Sequence, residues 1–294
     1  MGMELASIYP EARVAFNEAD HCLGFPISSL AWEGPETDLN DTLNTQPALL
    51  IHSYSAIRVF QIYQPGFRPS FVAGHSMGEI SALVAAGSLS YFDGLKLARR
   101  RGELMKLAGV ESPGGMAAII GLDIAALDKI CTQASTSDEL VQVANDNCPG
   151  QVVISGSSDA LVRAIKLAQE AGARKVSPLA VSIASHSPLM HSAQEGFNQA
   201  VKASPIQPPE VNIIGNVHAL PLTTIAEIRL DLQSQLTSRV RWTETILYLI
   251  DQGVTHFIEL GSGSVLTGLL KRISKEASGF ALGSPADFEK FFQG

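Results

Sequence analysis

The stretch that most constrains the fold of this chain is Ser70-Phe71-Val72-Ala73-Gly74-His75-Ser76-Met77-Gly78-Glu79. A short apolar strand is predicted at 71–73, a helix runs from about Ile80, and Gly-x-Ser-x-Gly stands between them. Glycines on both sides of a serine let the chain turn sharply from strand into helix. Such a turn lifts the Ser76 hydroxyl above the sheet edge and sets the Met77 N–H at a helix N-terminus, where an oxyanion is stabilised. This placement favours a nucleophile elbow over a Gly-Ser turn that merely caps a helix.

The composition narrows the class of protein. With 294 residues, 46% of them hydrophobic, the chain can bury one large core or two unequal ones. No apolar run approaches the ~18 residues of a membrane span, and the N-terminus lacks the regions of a secretory signal. Three scattered cysteines without metal-ligand spacing predict a reducing cytoplasm. The net charge of -8, with no long basic cluster, argues against nonspecific nucleic-acid binding.

The order of predicted elements indicates an α/β protein with a small domain inserted in a larger one. The large domain, 1–114 and 182–294, combines the elbow with helices at 3–19 (softly broken at Pro10), 46–63 and 188–203 and strands at 211–215 and 255–260. A parallel sheet is the simplest arrangement of these elements. The small domain, 115–181, is read as strands at 116–121, 140–144, 151–155 and 175–181, helices at 123–134 and 158–171, and a turn at 145–150. Its order β-α-β-β-α-β is that of a ferredoxin-like unit.

A serine nucleophile needs a base, and His186 is the candidate. It follows a predicted strand segment at 181–184 and precedes Ser187-Pro188, an N-cap followed by proline at the first helical position. It therefore lies where strands give way to helices, as Ser76 does. A capping or packing histidine is the alternative. His75 adjoins the nucleophile, so its side chain is expected to point the other way.

Arg101 is predicted to lie in the middle of an apolar helix face, whereas Arg99 and Arg100 point away from it. The face is formed by Leu97, Ala98, Leu104, Met105 and Ala108. An arginine there is unfavourable unless an anion lies opposite it. The anion is either an Asp or Glu elsewhere in the fold or a substrate carboxylate gripped bidentately by the guanidinium.

Two further features give weaker evidence for a binding site when the residues alone are considered. Gln151 follows the Asn-rich turn and could present its amide to a ligand, although it reads equally well as a strand residue. The loop 261–264, Gly-Ser-Gly-Ser after a strand, either cradles phosphate or lets a strand and a helix pack closely.

A series of short motifs spans nearly the whole chain: Gln46-Pro47-Ala48, Gly74-His75-Ser76-Met77-Gly78-Glu79, Arg101-Gly102, Asn147-Cys148-Pro149-Gly150-Gln151, Ser185-His186-Ser187-Pro188-Leu189-Met190, Val240-Arg241-Trp242 and Glu259-Leu260-Gly261-Ser262-Gly263. In this order they resemble the malonyl-CoA:acyl carrier protein transacylases of fatty-acid synthesis and the acyltransferase domains of polyketide synthases. Several motifs in register are far more specific than any one of them.

The resemblance implies an α/β-hydrolase-like large domain and a ferredoxin-like small one. It implies Ser76 as nucleophile and His186 as base, with the backbone carbonyl near Gln235 orienting the imidazole in place of a triad aspartate. The Met77 N–H would face the oxyanion.

The resemblance also implies Arg101 as the clamp on the free carboxylate of malonate, with Gln151 and His75 as neighbours of the substrate pocket. The partners would be malonyl-CoA and an acyl carrier protein, which bears the phosphopantetheine. No cofactor, nucleic acid or membrane is expected, and the protein is expected to be a cytoplasmic monomer. The carrier should be acidic, so Lys271 and Arg272, with 174–175 in reserve, are the expected docking residues.

Two departures from the family pattern stand out. The family begins with a strand and a glycine-glutamine loop that supplies a second oxyanion N–H, whereas this numbering begins just after that place. We expect the natural protein to start upstream. The family's Gly-Pro-Gly reads Gly261-Ser262-Gly263 here.

The alternatives left by the sequence are a serine esterase or thioesterase, a methylmalonyl-selective acyltransferase and a non-enzymatic binding module. A serine hydrolase would usually supply a late Asp or Glu and then the histidine. It would have no need of Arg101 on an apolar face.

Overall fold

The structure is a computed structural model and describes residues 1–181 and 183–293. Its helices are α1 (Met3–Ile8), α2 (Pro10–Leu23), α3 (Ile27–Glu33), α4 (Glu36–Leu39), α5 (Thr42–Tyr63), α6 (Gly78–Ala85), α7 (Tyr91–Glu111), α8 (Ile124–Ala134), α9 (Ser158–Glu170), α10 (His191–Ala203), α11 (Ile225–Gln235), α12 (Trp242–Asp251), α13 (Val265–Ile273) and α14 (Pro285–Gln293). Its strands are β1 (Phe71–Ala73), β2 (Gly114–Ile120), β3 (Val141–Cys148), β4 (Gln151–Ser157), β5 (Lys175–Pro178), β6 (Asn212–Ile214), β7 (Pro221–Leu222), β8 (Val240–Arg241), β9 (His256–Leu260) and β10 (Ser278–Leu282). A 3₁₀ turn, Pro188–Met190, precedes α10.

The large domain is built on parallel strands, as predicted. β1 pairs in parallel with β6, Val72 standing opposite Ile213, and β7 adds an antiparallel edge to β6. β9 and β10 form a second parallel pair. The main apolar core joins α2, α5, α6, α7 and α10 to this sheet, with Leu50, Leu95 and Phe197 fully buried. The core holds the carboxyl end of β1 in place, and that end leads into the elbow.

The parallel strands form two separate pieces in the described chain, β1-β6-β7 and β10-β9, so β1 and β9 are both edge strands. The same apolar cluster, centred on Trp242 and Leu270, packs against Phe71 of β1 and Phe257 of β9. The two edges therefore share one supporting layer without pairing through hydrogen bonds.

The small domain has the predicted ferredoxin-like arrangement. Its sheet runs β5-β2-β4-β3, all antiparallel, and α8 and α9 cover one face over a separate core. β8, from the large domain, pairs in parallel with β3 and extends this sheet. The division at 114/115 and 181/182 stays a prediction, and Ser182 lies outside the described residues.

Three predicted elements differ from the structure. The helical stretch at 3–19, predicted to be softly broken at Pro10, is two separate helices and runs on to Leu23, because Tyr9 is extended and Pro10 opens α2, where its missing N–H is no loss. β3 continues to Cys148, into the turn predicted at 145–150. Its pairing with β4 has two register shifts, which accommodate the polar residues of this segment within the strand. β5 ends at Pro178, short of the strand predicted to 181, and no strand covers the described part of 181–184.

No helix among the described residues is both long enough and apolar enough to cross a membrane.

Candidate active site

The chain turns from β1 into α6 with Ser76 in the left-handed backbone region. The φ angle of Ser76 is 53°, which is uncommon outside glycine and is retained where the surrounding structure requires it. A Cβ on Gly74 would lie 1.9 Å from the Gly78 carbonyl oxygen, so the two ends of the turn approach too closely for any side chain at 74. The turn therefore has the geometry of a nucleophile elbow, with the Ser76 hydroxyl half-buried at the sheet edge.

Ser76 and His186 are brought together as predicted. His186 Nε2 lies 2.8 Å from Ser76 Oγ, and His186 Nδ1 lies 2.9 Å from the Gln235 carbonyl oxygen. Since a carbonyl only accepts, Nδ1 carries the proton and Nε2 is free to accept from the serine hydroxyl. His186 has a φ of 58°, and its own carbonyl accepts from Gln142 Nε2 at 2.7 Å. The imidazole is thus fixed from both its ring and its backbone.

His186 is 3% exposed, and burial is the main reason that its pKa is lowered, to about 3. The positive charge of Arg101 lowers the pKa of His186 further. Both effects disfavour the imidazolium, so the ring is neutral around physiological pH and can accept a proton.

Arg101 is 1% exposed on the inner face of α7, as the apolar pattern predicted. Its Nη1 donates to Gln46 Oε1 at 2.8 Å, and its Nη2 donates to Gln235 Oε1 at 2.8 Å and to Ser76 Oγ at 3.1 Å. Its Nε has no acceptor, and no Asp or Glu in the described chain forms an ion pair with it. Burial lowers the pKa of Arg101 to about 10, so the guanidinium stays charged. A buried cation without an anion thus lies beside the serine.

Asn216 belongs to the site, although it was not predicted from the sequence. Its Oδ1 accepts from the Ser76 N–H at 2.7 Å, and its Nδ2 donates to the Gly74 carbonyl at 2.8 Å. The signal for it was available: Asn216 follows the predicted strand at 211–215, and the carboxyl ends of neighbouring parallel strands meet at one edge.

The Met77 N–H, next to the start of α6, has no acceptor among the described residues and is free for an oxyanion. His75 lies on the other side of the elbow, with Nε2 2.8 Å from Asn147 Oδ1 and its ring in a T-shaped contact with that of Trp242. The elbow is thereby linked to β3 of the small domain.

Gln151 is not part of the hydrogen-bond network around Ser76. Its Oε1 accepts from Arg272 Nη1, and Arg272 Nη2 lies 3.5 Å from the Pro149 carbonyl. Lys271 and Arg272 are both exposed at the end of α13. The guanidinium therefore spans the turn between β3 and β4.

The Gly-Ser-Gly loop at 261–263 lies close against α5, since a Cβ on Gly261 would be 2.5 Å from Ser53 Oγ. Ser262 Oγ lies 2.7 Å from His52 Nδ1, and His52 Nε2 lies 2.8 Å from the Gly283 carbonyl. In the described part of the chain, no cluster of His, Cys, Asp and Glu side chains has the arrangement of a metal site.

Comparison with known proteins agrees with this geometry. The family model described as acyl transferase domain matches residues 1–283. The malonyl CoA-acyl carrier protein transacylase of Bacillus subtilis is 43% identical over 293 residues, which cover 100% of this chain and 92% of that protein.

Solved structures agree as well. The malonyl CoA-acyl carrier protein transacylase of Coxiella burnetii superposes with a TM-score of 0.96 at 36% identity, covering 100% of this chain and 92% of that one. A malonyl-transacylase in complex with a type II PKS acyl-carrier protein gives a TM-score of 0.95 at 39% identity, covering 99% and 93%. The chain belongs to the acyl transferase family.

Proposed function

We propose that this protein transfers a malonyl group from malonyl-CoA to the phosphopantetheine thiol of an acyl carrier protein, through a malonyl ester on Ser76. The observation that carries the proposal is Arg101, a buried guanidinium without a carboxylate partner in the described chain and 3.1 Å from Ser76 Oγ. Burying a cation without an anion is unfavourable, and the free carboxylate of malonate would supply the anion. The relatives from Bacillus subtilis and from the type II PKS complex are named as malonyl transacylases, so their names specify the same acyl group.

The first half-reaction uses Ser76 and His186. His186 Nε2 takes the hydroxyl proton while Ser76 Oγ attacks the thioester carbonyl of malonyl-CoA. The C–S bond then breaks, the malonyl group stays on Ser76, and the leaving thiolate of coenzyme A takes the proton back from His186. The Gln235 carbonyl holds the imidazole in the required tautomer throughout.

The second half-reaction runs the same steps in reverse. The phosphopantetheine thiol gives its proton to His186 and attacks the ester carbonyl, and Ser76 leaves with that proton. Each tetrahedral intermediate carries a negative oxygen that faces the Met77 N–H. The scheme is ping-pong, because coenzyme A departs before the carrier enters.

Arg101 binds the malonate carboxylate in both half-reactions. Gln46 and Gln235 hold its two Nη atoms, so the guanidinium is oriented before the substrate arrives. A fixed acyl group favours attack by the carrier thiol over attack by water. We assign Gln151 and His75 to the lining of the substrate pocket, on the two sides of the turn between β3 and β4.

An acidic carrier protein docks, in this proposal, at Lys271 and Arg272. Their exposure at the end of α13 and the contact between Arg272 and Gln151 support the placement. No resident cofactor enters the mechanism, since each step uses side chains, backbone groups and the two thiols. We further propose a cytoplasmic monomer, in keeping with three unpaired cysteines.

A serine thioesterase is the second candidate for the same elbow. Against it, the partner of His186 Nδ1 is a backbone carbonyl, where a hydrolase usually supplies a carboxylate. Methylmalonyl is the second candidate for the acyl group, because Ser185 before His186 leaves more room than an aromatic residue would.

Labelled malonyl-CoA tests the proposal. A transacylase retains a stable label on Ser76 until a carrier thiol removes it, whereas a thioesterase releases malonate continuously. Ser76→Ala should abolish labelling and His186→Ala nearly so, with unchanged circular dichroism. Turnover to free malonate at the same rate with and without carrier would contradict transfer. Parallel incubation with methylmalonyl-CoA compares the two acyl groups.

A further inference from the structure

Two carboxyl groups that the mechanism does not use lie directly behind the elbow. Glu79, in the first turn of α6, is 0% exposed, and Asp231 of α11 is 3% exposed. They converge on one donor, the backbone N–H of Asn216, which lies 3.3 Å from Glu79 Oε2 and 3.0 Å from Asp231 Oδ2. No Lys, Arg or His in the described chain forms an ion pair with either group. Two adjacent buried carboxylates without a counter-ion repel each other strongly.

The hydrogen bonds show which group holds a proton. Asp231 accepts from two backbone N–H groups, since Val217 donates to its Oδ1 at 3.2 Å in addition to the bond from Asn216. Glu79 Oε2 accepts from Gln235 Nε2 at 2.8 Å, but Glu79 Oε1 is buried and has no donor. An oxygen without a donor beside a carboxylate fits a hydroxyl that donates to that carboxylate. Asp231, with more donors, is the ionised partner.

The surrounding charges agree with this assignment. Arg101 of α7 favours ionisation of Glu79, but its Nη1 and Nη2 groups donate to Gln46, Ser76 and Gln235. His218, which is exposed, favours the carboxylate of Asp231. Burial first and the charge of Asp231 second raise the pKa of Glu79 well above its usual range.

We propose that Glu79 is a neutral carboxylic acid that donates a hydrogen bond to the Asp231 carboxylate, and that this Glu79–Asp231 pair positions the transfer machinery. The proposal builds on the transfer reaction proposed above. Neither residue touches the reacting atoms, so both are positioning residues.

The pair acts through two residues. Asn216 is held by its N–H, and its side chain fixes the Ser76 N–H and the Gly74 carbonyl. Gln235 Nε2 donates to Glu79 and also to the Ser76 carbonyl at 3.2 Å. Gln235 Oε1 accepts from Arg101. The Gln235 backbone carbonyl accepts from His186.

Ionisation of Glu79 would place a second negative charge beside Asp231 and attract Arg101 away from the acyl site. The shared proton therefore fixes the nucleophile, the base and the clamp together. At alkaline pH its loss should disturb all three.

The test is Glu79→Gln, whose amide imitates the protonated acid: its N–H₂ can donate to Asp231 and its oxygen can accept from Gln235. We expect the acylation kcat/KM at neutral pH to stay within about tenfold of wild type, since a neutral hydrogen bond is replaced by another. The alkaline fall of kcat/KM should move to higher pH in this variant, because it cannot ionise. Glu103→Gln, which removes a surface ion pair with Arg99, is the matched control and should leave the profile unchanged.

Infrared spectroscopy gives a readout that does not depend on activity. The wild-type protein at neutral pH should show the carbonyl stretch of a buried protonated carboxyl group, and Glu79→Gln should lack it. Absence of this band from the wild type overturns the proposal, even if the variant does not fold. A loss well beyond tenfold in a folded Glu79→Gln, or an unmoved alkaline fall, overturns it as well. If the wild-type protein does not transfer malonyl, the proposed function is wrong. The infrared band then still tests the Glu79–Asp231 hydrogen bond on its own.

Discussion

At the scale of single residues, Arg101 should separate acyl groups by their charge. Arg101→Ala should lower malonyl transfer about 10²–10³-fold, since a buried charge-assisted pair is worth several kcal/mol. Transfer of acetyl, which has no second carboxylate, should fall far less. Acylation rates with the two coenzyme A esters measure the difference.

Arg100→Ala is the control, because Arg100 lies on the exposed side of the same helix and should affect neither substrate. Equal losses for malonyl and acetyl in Arg101→Ala would make Arg101 a structural residue.

His186 gives a prediction about pH. Its pKa is lowered in the folded protein, so the neutral base persists as the pH falls below the ordinary value of about 6.5. The acid limb of kcat/KM should therefore lie below that value. The same sign holds for stability: the contribution of neutral His186 is present above pH 6.5, roughly its unfolded pKa, and is lost as the pH falls towards the folded pKa.

The bound malonate should shift this limb. Its carboxylate cancels the charge of Arg101, which is one of the causes that lower the pKa of His186. The acid limb of the single-turnover rate at saturating malonyl-CoA should thus lie at higher pH than that of kcat/KM. Acetyl-CoA should show no such separation, and a separation of equal size with acetyl-CoA would contradict the coupling.

At the scale of elements, the two glycines of the elbow should differ in their tolerance. Gly74→Ala would bring a Cβ to 1.9 Å from the Gly78 carbonyl and must force the turn open. We expect several kcal/mol of lost stability, roughly the scale of overpacking or more, and loss of acylation. Thermal unfolding and malonyl labelling measure both.

Gly78→Ala is the matched control, because a Cβ at 78 meets nothing within 4 Å and lies at the start of α6. It should be neutral or stabilise the helix by up to ~1 kcal/mol. Similar damage from both substitutions would show that the close approach at Gly74 is not what the motif requires.

The elements also show how far the sequence predicts this site. The elbow, the inner face of α7 and the ferredoxin-like order follow from local patterns, which periodicity and turn chemistry reveal. The Glu79–Asp231 pair and the bonds of Asn216 do not, because they join segments far apart in sequence, and only the place of Asn216 after a predicted strand pointed to the sheet edge. The extension of β3 was missed since polar residues in a bulged strand resemble a turn.

At the scale of the whole molecule, charge should control the second half-reaction. The chain has a net charge of -8, so an acidic carrier needs a local basic surface. Reversal of charge at Lys271 and Arg272 should slow transfer to the carrier and make it less sensitive to salt, while acylation by malonyl-CoA is spared. Stopped-flow discharge of the labelled protein measures the carrier step alone.

Lys166→Glu, on an exposed face of the small domain, is the control for a change in total charge. If reversal at Arg174 and Lys175 slows the carrier step and reversal at 271–272 does not, the docking surface lies at the start of β5.

The edge positions of β1 and β9 affect the order in which parts of the protein unfold. Among the described residues each of these strands is paired on one side, whereas β4 is paired on both sides by β2 and β3. In hydrogen exchange, the strand that carries the nucleophile should thus be less protected than the centre of the small domain. On warming, malonyl labelling should disappear before most of the circular dichroism does, because the elbow loosens while the antiparallel sheet still holds.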